Sequence, residues 1–264
     1  MTAHKQIPCA LTIAGSDSGG GAGVQADLKT FAALQVHGTS VITCVTAQNP
    51  RQVLGVEVCR PASVRRQLEA VFSGLPPAAV KTGMLHSAPI VRTVAEFLRR
   101  RNVPLVVDPV MISTSGARLL LPPAVKAMCD NLLPLATVVT PNLDEAAALT
   151  GIKLQKVEDL RKAAKALRHR FGCAALVKGG HLRGLKEAVD IFYDGRQELL
   201  LTAPFIPGIS THGTGCTYSA ALTGWLARGS SLTDAVVRAK TFITQAIVQS
   251  QRVGHQSVLN SFWR

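Results

Sequence analysis

Short runs of consecutive apolar residues alternate along this chain with longer stretches in which apolar positions recur every three or four residues. The runs at 9–14, 39–45, 78–81, 104–108, 136–140 and 174–178 are short and bounded by glycine, proline or polar residues, which predicts buried strands. Helical spacing predicts helices over 24–34, 62–72 (entered after Pro61), 90–101, 142–149 (ended by Gly151) and 157–170. Two more, 216–227 and 232–251, close the chain. Residues 53–58 alternate weakly, as an edge strand does, and 187–201 predicts a hairpin turning at Asp194-Gly195. Because the strands are continuous apolar runs rather than alternating ones, both faces of their sheet must be covered, the mark of a parallel sheet. Strand–helix alternation then implies right-handed crossovers and an α/β sandwich. No repeat, low-complexity tract or linker interrupts residues 1–264, so one domain is expected.

Composition narrows the class. With 47% hydrophobic and 17% charged residues the chain can build a large core. No run approaches the ~20 apolar residues of a membrane span, and the first residues lack a secretory pattern, so a cytoplasmic protein with no membrane partner is expected. Cys9, Cys44, Cys59, Cys129, Cys173 and Cys216 are scattered, with no paired spacing that would suggest disulfides or zinc. Five read as small core residues. The formal net charge of +13 raises nucleic-acid binding as a reading. The densest basic stretch, 161–170, alternates with Ala and Leu at helical spacing, and only 5% of residues are aromatic. A solvated helix face is the better account, and no nucleic-acid partner is expected.

The chemistry gathers at the expected carboxyl ends of the strands, where such sheets bind ligands. Near the C-terminus, Thr211-His212-Gly213-Thr214-Gly215-Cys216 leads straight into a helix. The two glycines let successive N–H groups point into one concavity, and a nest at a helix N-terminus binds anions. Cys216 stands at its mouth, where a lowered thiol pKa is expected. A reactive side chain beside a phosphate site points to phosphoryl transfer. The loop from Gly15 to Gly23 matches neither a Rossmann fingerprint nor a Walker A loop. It reads instead as backbone approaching a small substrate, with Asp27 and Gln48 available to polar ring atoms. Asn142 and Glu145, three apart at a helix start, fit either a capping box or a carboxylate and amide organising hydrated Mg²⁺. Asp108 at a neighbouring strand end favours the metal.

Taken in order, Ala10 to Lys29, Thr46-Ala47-Gln48-Asn49, Lys81-Thr82-Gly83-Met84-Leu85, Val107-Asp108-Pro109-Val110-Met111, Thr140-Pro141-Asn142-Leu143-Asp144-Glu145-Ala146, Val177 to His181 and Thr211 to Cys216 resemble the hydroxymethylpyrimidine/phosphomethylpyrimidine kinases of thiamine synthesis. The resemblance implies a ribokinase-like three-layer α/β/α sandwich with a mostly parallel central sheet. It also implies two successive ATP-dependent, Mg²⁺-assisted phosphorylations of 4-amino-5-hydroxymethyl-2-methylpyrimidine. Gly15, Asp27, Gln48, Met84 and Val110 are implied around the pyrimidine, with Cys216 as base and Gly213, Thr214 and Gly215 as anion hole. Lys178, Thr211 and Thr140 are implied on the nucleotide side, and Asp108, Asn142 and Glu145 in the metal–phosphate network. Relatives of this fold are often homodimers. Two departures stand out: the tail reads Gly254-His255-Gln256-Ser257 where the family often has Gly-His-Gly-Pro, and the segment 183–187 is short. A pyridoxal/pyridoxine kinase and a catalytically silent ligand sensor are the competing readings.

Overall fold

The computed structural model describes residues 6–49, 52–111, 119–180, 182, 185–206 and 212–263. Its elements run β1 (Cys9–Asp17), α1 (Gly23–Ala33), β2 (His37–Asn49), β3 (Gln52–Val58), α2 (Pro61–Gly74), β4 (Ala79–Thr82), α3 (Ala88–Leu98), β5 (Leu105–Val107), α4 (Pro122–Ala127), β6 (Val138–Val139), α5 (Leu143–Thr150), α6 (Val157–Phe171), β7 (Ala174–Lys178), β8 (Glu187–Tyr193), β9 (Glu198–Pro204), α7 (Thr214–Ala227), α8 (Leu232–Val248), β10 (Gln251–Val253) and β11 (Gln256–Val258). The first nine strands form one sheet in the order β3-β2-β1-β4-β5-β6-β7-β8-β9. Its centre from β2 to β7 is parallel, while β3, β8 and β9 join antiparallel.

The continuous apolar runs have a direct explanation in the packing. Leu11, Ile13, Val80, Val107, Val139 and Val177 point into one core, under α2, α3, α5 and α6. Their neighbours Ala10, Ala79, Val106, Val138 and Leu176 point into a second core, under α1, α7 and α8. With both faces dry, the central strands are apolar at nearly every position, and exceptions such as Thr12, Lys81 and Thr82 are buried. Helix α7 runs through the second core with every residue from Thr217 to Ala227 buried, so it shows almost no amphipathic stripe.

The expected strand at 174–178 and the hairpin at Asp194-Gly195 form as read, with Gly195 at φ +99°. Elsewhere the structure differs. Strand β2 continues to Asn49, because polar Thr46 to Asn49 pair with β3 rather than entering a loop. Residues Pro122 to Leu135, not predicted as helical, form α4 followed by a π turn (Met128–Leu132) and a 3-10 turn (Leu133–Leu135). Pro122-Pro123 and Pro134 break up the helical spacing there. The last helix stops at Val248, and Gln251 to Val258 turn back as the β10–β11 hairpin around Gly254.

Candidate active site

Helix α7 begins at Gly213, whose φ of +81° only glycine adopts without strain. A Cβ there would lie 1.8 Å from the Gly21 carbonyl oxygen, so the two glycine loops touch backbone to backbone. Asp17 joins them. Its Oδ1 accepts the Gly19 N–H at 2.8 Å, and its Oδ2 accepts those of Gly21 (3.2 Å) and Ala22 (2.8 Å) and faces His212 Nε2 at 3.2 Å. Burial opposes the Asp17 charge, but these donors, His212 first, hold its carboxyl below the usual range. Three N–H groups of the loop expected to approach a small substrate, those of Gly19, Gly21 and Ala22, are therefore taken by the loop's own carboxylate. The nest at α7 is different: Thr214 Oγ1 is buried there with no partner among the described residues. The Asp17–His212 contact was not legible in the chain, since 195 residues separate the two.

Around Cys216 the structure corrects one expectation outright. The thiol lies in the first turn of α7, yet its pKa is pushed up to about 11 rather than lowered. Burial is the main cause. Lys81 pulls the other way, as does the Gly23 N–H, while Asp27 and Asp108 add to the rise.

Asp27 is corrected as well. It is fully buried, with Oδ1 2.6 Å from Lys81 Nζ and Oδ2 accepting from Thr12 Oγ1 at 2.6 Å. Both oxygens are taken by the protein, so none faces a ring. Of the other residues expected around the pyrimidine, Gly15 meets Met84, and Val110 lies beside Gly83. A Cβ on Gly15 would sit 2.8 Å from both Met84 Cε and Cys44 Sγ, and one on Gly83 would sit 4.0 Å from Val110 Cγ2. Gln48 is tied to the glycine loop through its backbone, its N–H donating to Ser18 Oγ and its carbonyl accepting from it, both at 2.8 Å. Its carboxamide makes no hydrogen bond among the described residues.

Val110 sits at φ +44°, a conformation costly for a β-branched side chain. Relief of roughly 1–3 kcal/mol is set against the ~0.5–1 kcal/mol entropy cost of glycine. Val110→Gly is therefore expected to keep or raise the melting temperature while raising the KM of the heteroaromatic substrate about tenfold, from loss of an apolar wall. Calorimetry beside steady-state kinetics checks this, and a lower melting temperature with unchanged KM would refute it.

Among the residues expected on the nucleotide side, Lys178 Nζ lies 3.1 Å from Asp108 Oδ1, and Ser219 Oγ donates to Asp108 Oδ2 at 2.9 Å. Burial disfavours the Asp108 charge, but Lys178 and Lys81 outweigh it and hold the carboxyl low. Burial likewise opposes the Lys178 charge, which Asp108 and Glu145 restore, leaving its pKa raised. Thr140 spends its hydroxyl on Asp108 Oδ1 at 3.4 Å rather than facing outward. Asn142 and Glu145 form the capping box, the weighed alternative to a metal role: Asn142 Oδ1 accepts the Glu145 N–H, and Glu145 Oε2 accepts the Asn142 N–H. Glu145 Oε1 accepts the Met111 N–H at 3.1 Å, and burial raises its pKa. A Cβ on Gly215 would lie 3.3 Å from Lys178 Nζ and 3.9 Å from Asp108 Oδ2, which joins this cluster to the first turn of α7. Thr211 and His181 lie outside the described residues. A cavity of about 430 Å³ opens beside Glu145, lined by Met111, Leu120, Val125, Cys129, Leu149 and Arg170 among others, but Cys216 is not in its wall.

The cluster therefore offers an anion nest, a lysine beside two buried carboxylates and a thiol, joined through the first turn of α7. That is the equipment of phosphoryl transfer, which asks mainly for positioning and charge stabilisation. Among the described residues no helix is long and apolar enough to cross a membrane.

Comparison with known proteins agrees with the geometry. The sequence model of the phosphomethylpyrimidine kinase family matches residues 17–260. A hydroxymethylpyrimidine/phosphomethylpyrimidine kinase of Synechococcus elongatus is 47% identical over 258 residues, covering 97% of this chain and 98% of its own. The thiamine biosynthesis bifunctional protein ThiED of Geobacter sulfurreducens is 49% identical over 248 residues, which are 92% of this chain and 50% of that one. Among solved structures, an ADP complex of Bacillus subtilis pyridoxal kinase superposes with a TM-score of 0.89 at 38% identity, covering 97% of this chain and 98% of that one. With its ribokinase-like sheet and its strand-end cleft, this chain belongs to the phosphomethylpyrimidine kinase family.

Proposed function

We propose that this kinase transfers a phosphoryl group from ATP to the hydroxymethyl group of 4-amino-5-hydroxymethyl-2-methylpyrimidine, then a second to the monophosphate, in thiamine biosynthesis. The observation that carries this reading is the docking of Gly213 on Gly21, which joins the α7 nest and Cys216 to the glycine loop that follows β1. In the proposed reaction the Cys216 thiolate takes the substrate hydroxyl proton. The freed oxygen bonds to the γ-phosphorus, and the bridging P–O bond breaks with its electron pair leaving on ADP. The N–H groups of the Gly213–Cys216 turn, the orphan Thr214 hydroxyl and Lys178 offset charge on the moving group. Gly15, Met84 and Val110 pack the ring, Gln48 offers its carboxamide to polar ring atoms, and Asp27 acts from beneath through Lys81.

The donor chemistry fits Mg²⁺. Asp108, Asn142 and Glu145 supply only hard oxygen ligands, and among the described residues no three acidic, His or Cys side chains form a cage. A hydrated ion held through a few waters matches that sparseness, and it would supply charge neutralisation on the phosphates. Asn142 and Glu145 perform their capping at the same time, which fixes both groups in place.

The rest of the reading is one kinase domain acting in the cytoplasm, supported by the single large sheet and by six free thiols, as a reducing compartment keeps them. It includes a homodimer through β3, an edge strand that exposes Leu54 and Val58. Light scattering should give twice the 27.9 kDa chain mass, and Leu54→Lys should halve it. A wild-type monomer at assay concentration would dismiss the dimer.

A second reading, pyridoxal phosphorylation, is favoured by the pyridoxal kinase superposition. Turnover of hydroxymethylpyrimidine, its monophosphate and pyridoxal with ATP and Mg²⁺, products resolved by mass, separates the two. A diphosphate product is expected, with pyridoxal slower. Turnover of pyridoxal alone would replace the pyrimidine assignment. Gln48→Ala should raise the pyrimidine KM and leave that of ATP unchanged; the reverse pattern would move Gln48 out of the pyrimidine site.

A further inference from the structure

Asp27 and Lys81 form an ion pair with no exposed side-chain surface. Such pairs rarely add net stability, because desolvation offsets their attraction and apolar side chains of similar volume do as well. A fold that keeps one beside its reactive thiol invites a functional account. The pair lies at the strand-end side of the second core, where α1 and α7 meet β1 and β4. The Gly23 N–H, at the first position of α1, points at the Cys216 sulfur. The charged groups that face this sulfur are Lys81 from β4, Asp27 from α1, Asp108 from the turn after β5 and Lys178 from the end of β7. Two cations and two carboxylates balance, so a thiolate would be the uncompensated charge of the group. Lys81 is the strongest pull in its favour. Thr12 and Asp27 fix where that ammonium stands, and Asp27 keeps it protonated: burial opposes its charge, but the carboxylate more than restores it.

We infer that Lys81 is the positioning cation of the phosphoryl transfer, clamped by Asp27 and Thr12 so that its field stabilises the Cys216 thiolate without touching substrate. This rests on the reading of Cys216 as the base. It makes the buried pair a regulator of thiol basicity, with Asp27 tempering Lys81 so that the sulfur remains basic enough to take a proton.

The decisive experiment follows alkylation of Cys216 by iodoacetamide from pH 6 to 10, read by peptide mass mapping so that the other five thiols do not count, with Cys129 as internal standard. The Asp27→Asn/Lys81→Met double variant removes both charges at similar volume and is expected to fold. Its Cys216 should react at least threefold more slowly than wild type at pH 8, with kcat reduced and the pyrimidine Kd unchanged. Lys81→Met alone, which removes the cation and leaves Asp27 near the sulfur, should react at least as slowly as the double variant. Should that single variant fail to fold, the double variant decides. Equal alkylation in the folded double variant and wild type overturns the inference, whatever happens to kcat. Cys216→Ala is assayed separately: retained turnover there removes the base, yet the alkylation comparison still reads the Lys81–sulfur coupling on its own.

Discussion

Cys216→Ala is expected to lose 10²- to 10⁴-fold in kcat, the range typical of removing a positioned general base, with substrate KM little changed. The size follows from the site: Cys216 shares the first turn of α7 (Thr214 to Thr217) with no other thiol and no basic side chain, only with the far less acidic hydroxyls of Thr214 and Thr217. The pH dependence makes the test sharper. Burial holds the thiol at about 11, above its ordinary 9.0, so the neutral form dominates at neutral pH and thiolate accumulates only as pH rises towards 11. Log kcat of the wild type should therefore climb with a slope near one from pH 7 to about 10, where chemistry limits turnover. The Cys216→Ala profile should be flat over that span. Near-wild-type kcat in the variant, or an unchanged slope, would remove Cys216 from the proton transfer.

Gly213→Ala should be the most damaging glycine-to-alanine change among the described residues. Its Cβ would meet a backbone oxygen at 1.8 Å, and backbone yields only if the two glycine loops part. The φ of +81° adds the roughly 1–2 kcal/mol that an L-residue bears in the left-handed region. Expected are a clear fall in melting temperature and loss of turnover by two orders of magnitude or more, because the nest N–H groups move off the phosphate position. Gly215→Ala provides the contrast. The nearest atom there is the Lys178 ammonium at 3.3 Å, the end of a flexible side chain that can give way. That variant should keep its melting temperature within a few degrees and show mainly a raised KM for ATP. Thermal melts with two-substrate kinetics on both variants decide. Equal damage at the two positions would show that neither the loop docking nor the left-handed φ matters.

Much of this fold could be read along the chain because its periodicity reports burial. The run Ala174–Lys178 is apolar without alternation since Ala175 and Leu176 face different cores. Residues 122–135 were not legible, because prolines and a π turn erase helical spacing. Of the candidate site, the α7 nest and the capping box at Asn142 and Glu145 were visible as local patterns, while the grouping of Gly15 with Met84 came only from the family resemblance. Local pattern also led astray where partners come from afar. Asp27 looked available to a ligand but meets Lys81, 54 positions on.

By itself, then, the sequence determined the layered α/β architecture and the glycine turn that opens α7 ahead of Cys216, because each depends on residue spacing and on glycine's freedom within a few positions. Only the tertiary structure decided the electrostatics. The Asp17–His212 contact, the Asp27–Lys81 clamp, the Asp108–Lys178 pair and the raised pKa of the thiol arise when strands distant in the chain bring charges into one desolvated space. There the cost of burial and the distance between charges, neither of which is written in local sequence, set which groups stay charged.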